Sequence, residues 1–322
     1  MAATVKRLLT FVIALCVTTT AQADSATDEA FQNLADEYLS ELTSFSPIYA
    51  TLIGDHSADG ELDQVDAAGR EESLVLLREY QAALEALDFD QLSRENQVDA
   101  ALLLHNVESG IWSTETLKEW AWNPLYYIQL SGSGIYGLLA RDFAPIEQRL
   151  ESAASRLEQL PRFLEQSRGQ LVPERVPAIH AETAVAQNQG LGSIIDNMIL
   201  PHMDTAPGDL RERLSAAIET ARDAIADHQT WLEEELLPRA SGDFRIGAEL
   251  YDTKLAFALN SPLSRKEIKA RAELEYQNVR NQMYEVAKTV YLEKFPMTAF
   301  PDSPDEAYKQ AIIRAALEEA YK

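Results

Sequence analysis

The chain has 322 residues, a single cysteine and a net charge of −24, from 28 basic and 52 acidic side chains. Because phosphate binding depends on Lys and Arg, this balance disfavours nucleic acids and anionic membrane surfaces as partners. A lone Cys16 excludes an internal disulfide and a cysteine-based metal site.

Residues 1–23 have the pattern of a secretory signal peptide. A basic start precedes an apolar run over residues 8–17, and Ala21-Gln22-Ala23 supplies a small-x-small cleavage sequence. The run is shorter than the roughly 20 apolar residues that span a bilayer. Cleavage before Asp24 would also remove the cysteine and leave a net charge of −26. We therefore expect an exported protein, periplasmic or secreted, with no stable membrane span after cleavage.

Apolar residues at helical spacing dominate the first half of the mature chain. The predicted helical faces are Phe31, Leu34, Tyr38, Leu39 and Leu42; Leu74, Leu77, Leu84 and Leu87; Val98, Ala101, Leu102 and His105; and Ile146, Leu150, Leu157, Leu160 and Leu164. Pro161 predicts a kink or break in the last of these helices. Ser131-Gly132-Ser133-Gly134 is predicted to be a loop.

The second half shows the same periodicity. One stripe comprises Leu214, Ala217, Ile218, Ala221, Ile225, His228 and Leu232, and another comprises Ile268, Ala272, Val279, Met283, Val286 and Val290. Ser264 and Glu267 form a capping box before the second stripe. Ser303-Pro304-Asp305-Glu306 is a typical start for a final helix. No strand pattern is evident, so the sequence predicts an all-α protein of about ten helices.

The stretch SPIYATLIGDHSADGELDQ, residues 46–64, differs from its helical surroundings. Asp55, His56, Asp59 and Asp63 offer metal ligands, but their spacing does not match a calcium loop. A short helix, a Gly54 C-cap and a turn explain the same residues, and we prefer that interpretation to a metal site.

Known catalytic motifs are missing from the sequence. None of the five histidines forms an H-E-x-x-H zinc motif, and there is neither a P-loop nor a G-x-S-x-G elbow. His105 and His228 lie on apolar stripes, which favours hydrogen-bonded core histidines over metal ligands. No cofactor is therefore predicted for this chain.

An aromatic cluster is the main candidate for a binding surface. Trp120, Trp122, Tyr126 and Tyr127 lie close together in the sequence, and Tyr251 is added from a later segment. These side chains could line a cleft for an apolar or peptide-like substrate. Alternatively, the cluster fills the gap where a helix is broken at Pro124, and the pattern alone favours this second explanation.

Several short segments, in order, carry a family resemblance. They are Ser46-Pro47, Ala50-Thr51, Gly54-Asp55-His56, Trp122-Asn123-Pro124, the segments 141–145 and 156–161, and the segment 242–251, GDFRIGAELY. Together they make residues 24–322 resemble the N-terminal half of domain-of-unknown-function family 885, a set of mostly secreted bacterial proteins. The resemblance implies a helical fold akin to the zinc peptidases.

The resemblance also implies an activity for the complete family members. Their C-terminal half carries an H-E-x-x-H motif, which implies a zinc-dependent hydrolase, a peptidase, in which two histidines bind Zn²⁺ and the glutamate polarises water. No catalytic residue of that motif can be placed on this chain. We therefore expect a truncated, cleft-forming portion that is inactive alone, with zinc only in a full-length protein. The alternative is a non-catalytic exported protein that binds a partner or ligand.

Overall fold

The structure, a computed structural model, describes residues 25–322 and divides into two compact units, one ending at Ile246 and the other comprising Gly247–Lys322. The predicted signal peptide, 1–23, lies outside the described residues. The first unit contains eight α-helices: α1 (Ser25–Phe45), α2 (Pro47–Ile53), α3 (Ala67–Glu85), α4 (Arg94–Trp112), α5 (Pro124–Leu139), α6 (Ile146–Gln170), α7 (Ala178–Ile194) and α8 (Gly208–Trp231). The second contains α9 (Ala248–Leu259), α10 (Arg265–Lys294) and α11 (Glu306–Ala320). The all-α prediction is confirmed: residues 25–322 form eleven α-helices and no strand, with one isolated bridge between Pro177 and Gly242.

Helix α6 is the centre of the larger core, with α5 and α8 packed against it. Leu150, Leu157 and Phe163 on α6 are fully buried. The predicted α8 stripe from Leu214 to Leu232 is also buried, so that prediction is confirmed. Each of these large apolar side chains contributes about 1.5–3 kcal/mol through burial.

A helix break predicted at Pro161 and a loop predicted before α6 were both wrong. Helix α6 runs unbroken through Pro161, because burial on both sides of the proline outweighs one lost backbone hydrogen bond. The predicted loop Ser131-Gly132-Ser133-Gly134 lies inside α5. Its small residues allow close packing: a Cβ at Gly134 would lie 3.0 Å from a Leu62 methyl group. The glycines there serve helix packing, not a turn.

Helices α1, α3 and α4 enclose a second core. Phe31, Tyr38 and Tyr80 are buried in it, and the rings of Tyr38 and Tyr80 meet edge to face at 5.0 Å. On α4 the predicted face was wrong. Val98 and Leu102 are exposed, while the buried α4 side chains are Asn96, Ala100, Leu103 and Val107. A small alanine and a polar asparagine at the packed positions concealed the true face from a pattern based on hydrophobicity.

The second unit has a small core between α10 and α11, built on Tyr284, Ile312 and Ile313. The capping box at Ser264 is present as predicted. The last helix begins at Glu306 with Asp305 as its N-cap, within the segment 303–306 that was predicted to start it. The predicted α10 face was also wrong, since Val279, Met283 and Val286 are exposed and the buried side chains of α10 are Tyr284 and Ala287.

Candidate functional site

A cleft of about 520 Å³ opens in the first unit. Its walls come from residues within four stretches of the chain, 42–47, 61–65, 69–73 and 113–127. These stretches include the α1–α2 junction, the end of the loop between α2 and α3, the first turns of α3 and the segment that joins α4 to α5. The cleft therefore lies where the two hydrophobic cores of this unit meet.

The aromatic wall is built by the irregular segment between α4 and α5. The Trp120 indole donates to the carbonyl of Thr114 at 3.0 Å, and the Tyr127 hydroxyl donates to the carbonyl of Trp120 at 2.7 Å. Asn123 caps α5 by accepting from the backbone N–H of Leu125, and Pro124 suits the first position of that helix. These bonds fix both aromatic rings through the backbone of the turn.

Three of the five aromatic residues predicted for a cleft lie at this one. Trp120, Tyr126 and Tyr127 line it. Trp122 does not, because its indole donates to the carbonyl of Leu117 and its ring stacks on His180 with the centroids 5.9 Å apart. Tyr251 lies in the second unit, on α9, where it is half-exposed.

Tyr126 combines an exposed ring with a perturbed hydroxyl. Desolvation, together with the negative charges of Asp63 and Glu119, raises its pKa to about 12. The phenol therefore stays protonated at neutral pH and can donate a hydrogen bond. Burial likewise raises the pKa of Tyr127 above its usual value. The Tyr126 hydroxyl can donate to a ligand, whereas the buried Tyr127 hydroxyl already donates to the carbonyl of Trp120.

The cleft also contains one basic residue, Arg70, which the sequence analysis missed. Its guanidinium carbon lies 3.7 Å from the ring centroid of Trp120, a cation–π contact, and its Nη1 donates to Gln170 at 2.6 Å. A signal was present in the sequence: a basic residue in the first turns of a helix opposes the helix dipole.

The stretch 46–64 forms a second wall of the cleft through residues 46–47 and 61–64, and it has the predicted form. Pro47–Ile53 is a short helix, α2, and Gly54 ends it with φ +97°. Asp63 caps this helix from a distance, accepting from the Ile48 N–H at 3.0 Å and the Ser46 hydroxyl at 2.9 Å. Burial raises the pKa of Asp63, and these two donors oppose the rise.

Arg156 holds this stretch against α5 and α6. It is fully buried and donates to the carbonyls of Glu61, Gly134 and Pro47 and to the Thr51 hydroxyl, at 2.6–3.1 Å. Burial lowers its pKa to about 10, against the opposing effect of nearby carboxylates, so it remains charged at neutral pH. The network gives a structural reason for the polar composition of the stretch 46–64.

The histidine and carboxylates of the same stretch also have structural partners. His56 Nδ1 lies 3.0 Å from Asp59 Oδ2, and its ring stacks on Phe143 at 3.6 Å. Asp59 also accepts from the Thr51 hydroxyl at 2.6 Å. Across residues 25–322, no group of three or more His, Cys, Asp or Glu side chains is arranged to hold a metal ion. None of the helices in those residues is long and apolar enough to cross a membrane.

Fold and site together define an all-α protein with an aromatic-walled cleft in its first unit. The sequence profile described as "Bacterial protein of unknown function (DUF885)" matches residues 47–322, and the chain belongs to this family. No curated protein matches the chain. A solved structure described as "a putative lipoprotein of unknown function" from Shewanella oneidensis is similar, with 26% sequence identity and a TM-score of 0.74. The alignment covers 89% of this chain and 52% of that one, so this chain spans about half the length of its structural relative.

Proposed function

We propose that this chain is the exported, N-terminal portion of a zinc-dependent peptidase-like hydrolase, and that its cleft binds a peptide substrate. The single observation that carries the proposal is the cleft itself, with Trp120, Tyr126 and Tyr127 on one wall. Its volume of about 520 Å³ falls within the roughly 300–1,000 Å³ that is typical of small-ligand sites. The half-length match to a longer protein is compatible with a portion of a larger protein, and the enzymatic activity is proposed from the family resemblance alone.

The chemistry of the walls suits a short peptide. The partly exposed rings of Trp120 and Tyr126 provide apolar contact area, and the Tyr126 hydroxyl, which stays protonated, can donate to a peptide carbonyl. Side-chain hydroxyls at Ser44, Ser73 and Ser113 also line the cleft. Polar groups placed among aromatic and aliphatic side chains can orient a ligand as well as bind it.

The zinc ligands and the general base are proposed to lie in the remainder of the family domain, in the H-E-x-x-H motif that the resemblance implies. This chain alone should then bind no zinc stoichiometrically and hydrolyse no peptide. Metal analysis of the purified chain after dialysis against zinc tests this point. One tightly bound zinc per chain would contradict the proposal.

A non-catalytic binding protein is the second candidate. It rests on the formed cleft, which can bind a ligand without any catalytic group. Both candidates predict peptide binding, and the coding sequence downstream of Lys322 separates them. A continuation that contains H-E-x-x-H supports the hydrolase, whereas a stop codon with no such motif nearby supports the binding protein.

The binding experiment uses N-acetylated pentapeptides with apolar central residues, titrated by calorimetry into the purified chain. Trp120→Ala should weaken binding about 30-fold, because truncating a central aromatic contact costs about 2 kcal/mol. Trp122→Ala is the matched control, since Trp122 lies outside the cleft, and it should leave the dissociation constant unchanged. Binding by neither the wild-type chain nor the variants, or equal effects of both substitutions, would refute the proposed cleft function.

A further inference from the structure

The cleft contains one positively charged side chain. Arg70 is the one basic residue among the residues that line the cleft. The ion pairs within residues 25–322 do not include it, and its hydrogen bond goes to the neutral amide of Gln170. The protein has nearly twice as many acidic as basic side chains, so a single basic side chain stands out among the residues that line the cleft.

Arg70 is held in a defined position. The Trp120 ring covers one face of the guanidinium at 3.7 Å, and Gln170 fixes one Nη atom at 2.6 Å. A guanidinium carries five N–H donors in a planar fork, so most of its donors remain available to a ligand. The fork matches a carboxylate, which it can bind through two parallel hydrogen bonds.

Four acidic residues also line the cleft, and they restrict where a ligand carboxylate can bind. Asp63 is satisfied by Ser46 and Ile48, and Glu119 accepts from the Asn123 amide at 2.7 Å. The remaining two, Glu61 and Glu72, are exposed. A ligand carboxylate would therefore be repelled along most of the cleft and attracted at Arg70 alone.

We infer that Arg70 is a specificity-determining residue that binds a carboxylate of the peptide, stacked against Trp120. This inference rests on the proposed function, because it assigns the substrate class of the same cleft. The carboxylate can come from the C-terminus of the peptide or from an Asp or Glu side chain. Either source presents the same two oxygens to the guanidinium.

The test compares N-acetylated pentapeptides that differ in carboxylates only: one with a free C-terminus, one amidated, and amidated versions with a central Glu or Gln. Loss of the recognised carboxylate should weaken binding to the wild-type chain roughly tenfold to a hundredfold, the range for a hydrogen bond to a charged group. Arg70→Gln should bind all four peptides with the same affinity, and Arg70→Lys should retain part of the preference. Arg213→Gln, which removes an exposed arginine outside the cleft lining, should behave like the wild-type chain.

The outcomes separate this inference from the function on which it rests. A preference for the free C-terminus, or for Glu over Gln, that disappears in Arg70→Gln supports carboxylate binding by Arg70 and identifies the source of the carboxylate. If the peptides bind with the same affinity whether or not they carry a carboxylate, the role inferred for Arg70 is wrong and the proposed function still stands. A preference that survives unchanged in Arg70→Gln also overturns the role inferred for Arg70. If none of the four peptides binds, the proposed function is wrong, and the role inferred for Arg70 is wrong with it.

Discussion

His228 should make the first unit sensitive to acid. The side chain is 2% exposed, and its Nδ1 accepts a hydrogen bond from Arg168 Nε at 3.1 Å. Burial, and to a lesser extent the positive charge of Arg168, lowers its pKa from 6.5 to about 3. In the folded protein this histidine therefore stays neutral at pH values where the unfolded chain binds a proton.

The magnitude follows from linkage. Between pH 6.5 and about 3 the unfolded state binds one more proton at this site, so the free energy of unfolding falls as the pH falls, by about 1.4 kcal/mol per pH unit. From pH 7 to pH 5 the expected loss is about 2 kcal/mol. Above pH 6.5 both states are neutral at His228, and its contribution to stability no longer changes with pH.

The assay is urea unfolding of the wild-type chain and His228→Gln at pH 7, 6 and 5, followed by tryptophan fluorescence. All four tryptophans lie in the first unit, so the signal reports that unit alone. Glutamine keeps a neutral acceptor for Arg168 and does not titrate, so the variant should lose about 2 kcal/mol less than the wild-type chain on going to pH 5. His202→Gln, in the turn before α8, is the control and should follow the wild-type chain. Equal pH dependence of the wild-type chain and His228→Gln would refute the argument.

Three further predictions concern stability and processing. Arg156→Met should destabilise the first unit by about 3–5 kcal/mol at pH 7, because it leaves buried acceptors and the nearby carboxylate of Asp63 without a cation. A loss below about 1 kcal/mol, measured by urea unfolding, would contradict the hydrogen-bond network described for Arg156. Gly54→Ala should lower the free energy of unfolding by about 1–2 kcal/mol, because the φ of +97° at this position strains any other residue. Gly190→Ala, in open space within α7, should instead raise it by about 0.5–1 kcal/mol. Equal effects of the two substitutions in thermal melts would disprove the distinction. N-terminal sequencing of the chain recovered from the periplasm or medium should begin at Asp24, and an intact N-terminus would contradict cleavage.

Local sequence signals predicted the helices well. The capping box at Ser264 and the stripe along α8 depend on residues within a few turns of each other, and both were correct. The form of α2 followed from Pro47 and Gly54 for the same reason. Where the backbone needs a special conformation or a cap, a few neighbouring residue types are enough to show it.

Packing partners were harder to predict. Periodicity placed Val279, Met283 and Val286 in a core, but α10 buries Tyr284 and Ala287 instead, because the face that packs depends on the neighbouring α11. Arg156 could not be recognised as the centre of a network, since most of its partners are about 100 residues away in sequence. Contacts of that range leave no periodic trace in a single sequence.

The candidate site was predicted in part. An aromatic cluster was visible, and Trp120, Tyr126 and Tyr127 do line one cleft. Sequence proximity also grouped Trp122 with them, although the turn before α5 directs its ring toward His180. Arg70 was not predicted, since its role depends on α3 lying beside the segment that follows α4.

The most direct test of peptide binding in the cleft is to locate a bound peptide. An N-acetylated pentapeptide carrying a photoreactive benzophenone side chain is irradiated with the purified chain, and the crosslinked residues are identified by mass spectrometry. We expect crosslinks within residues 61–73 and 113–127, and their loss in Trp120→Ala but not in Trp122→Ala. Crosslinks concentrated outside the cleft-lining residues, or unaffected by Trp120→Ala, would contradict peptide binding in the cleft.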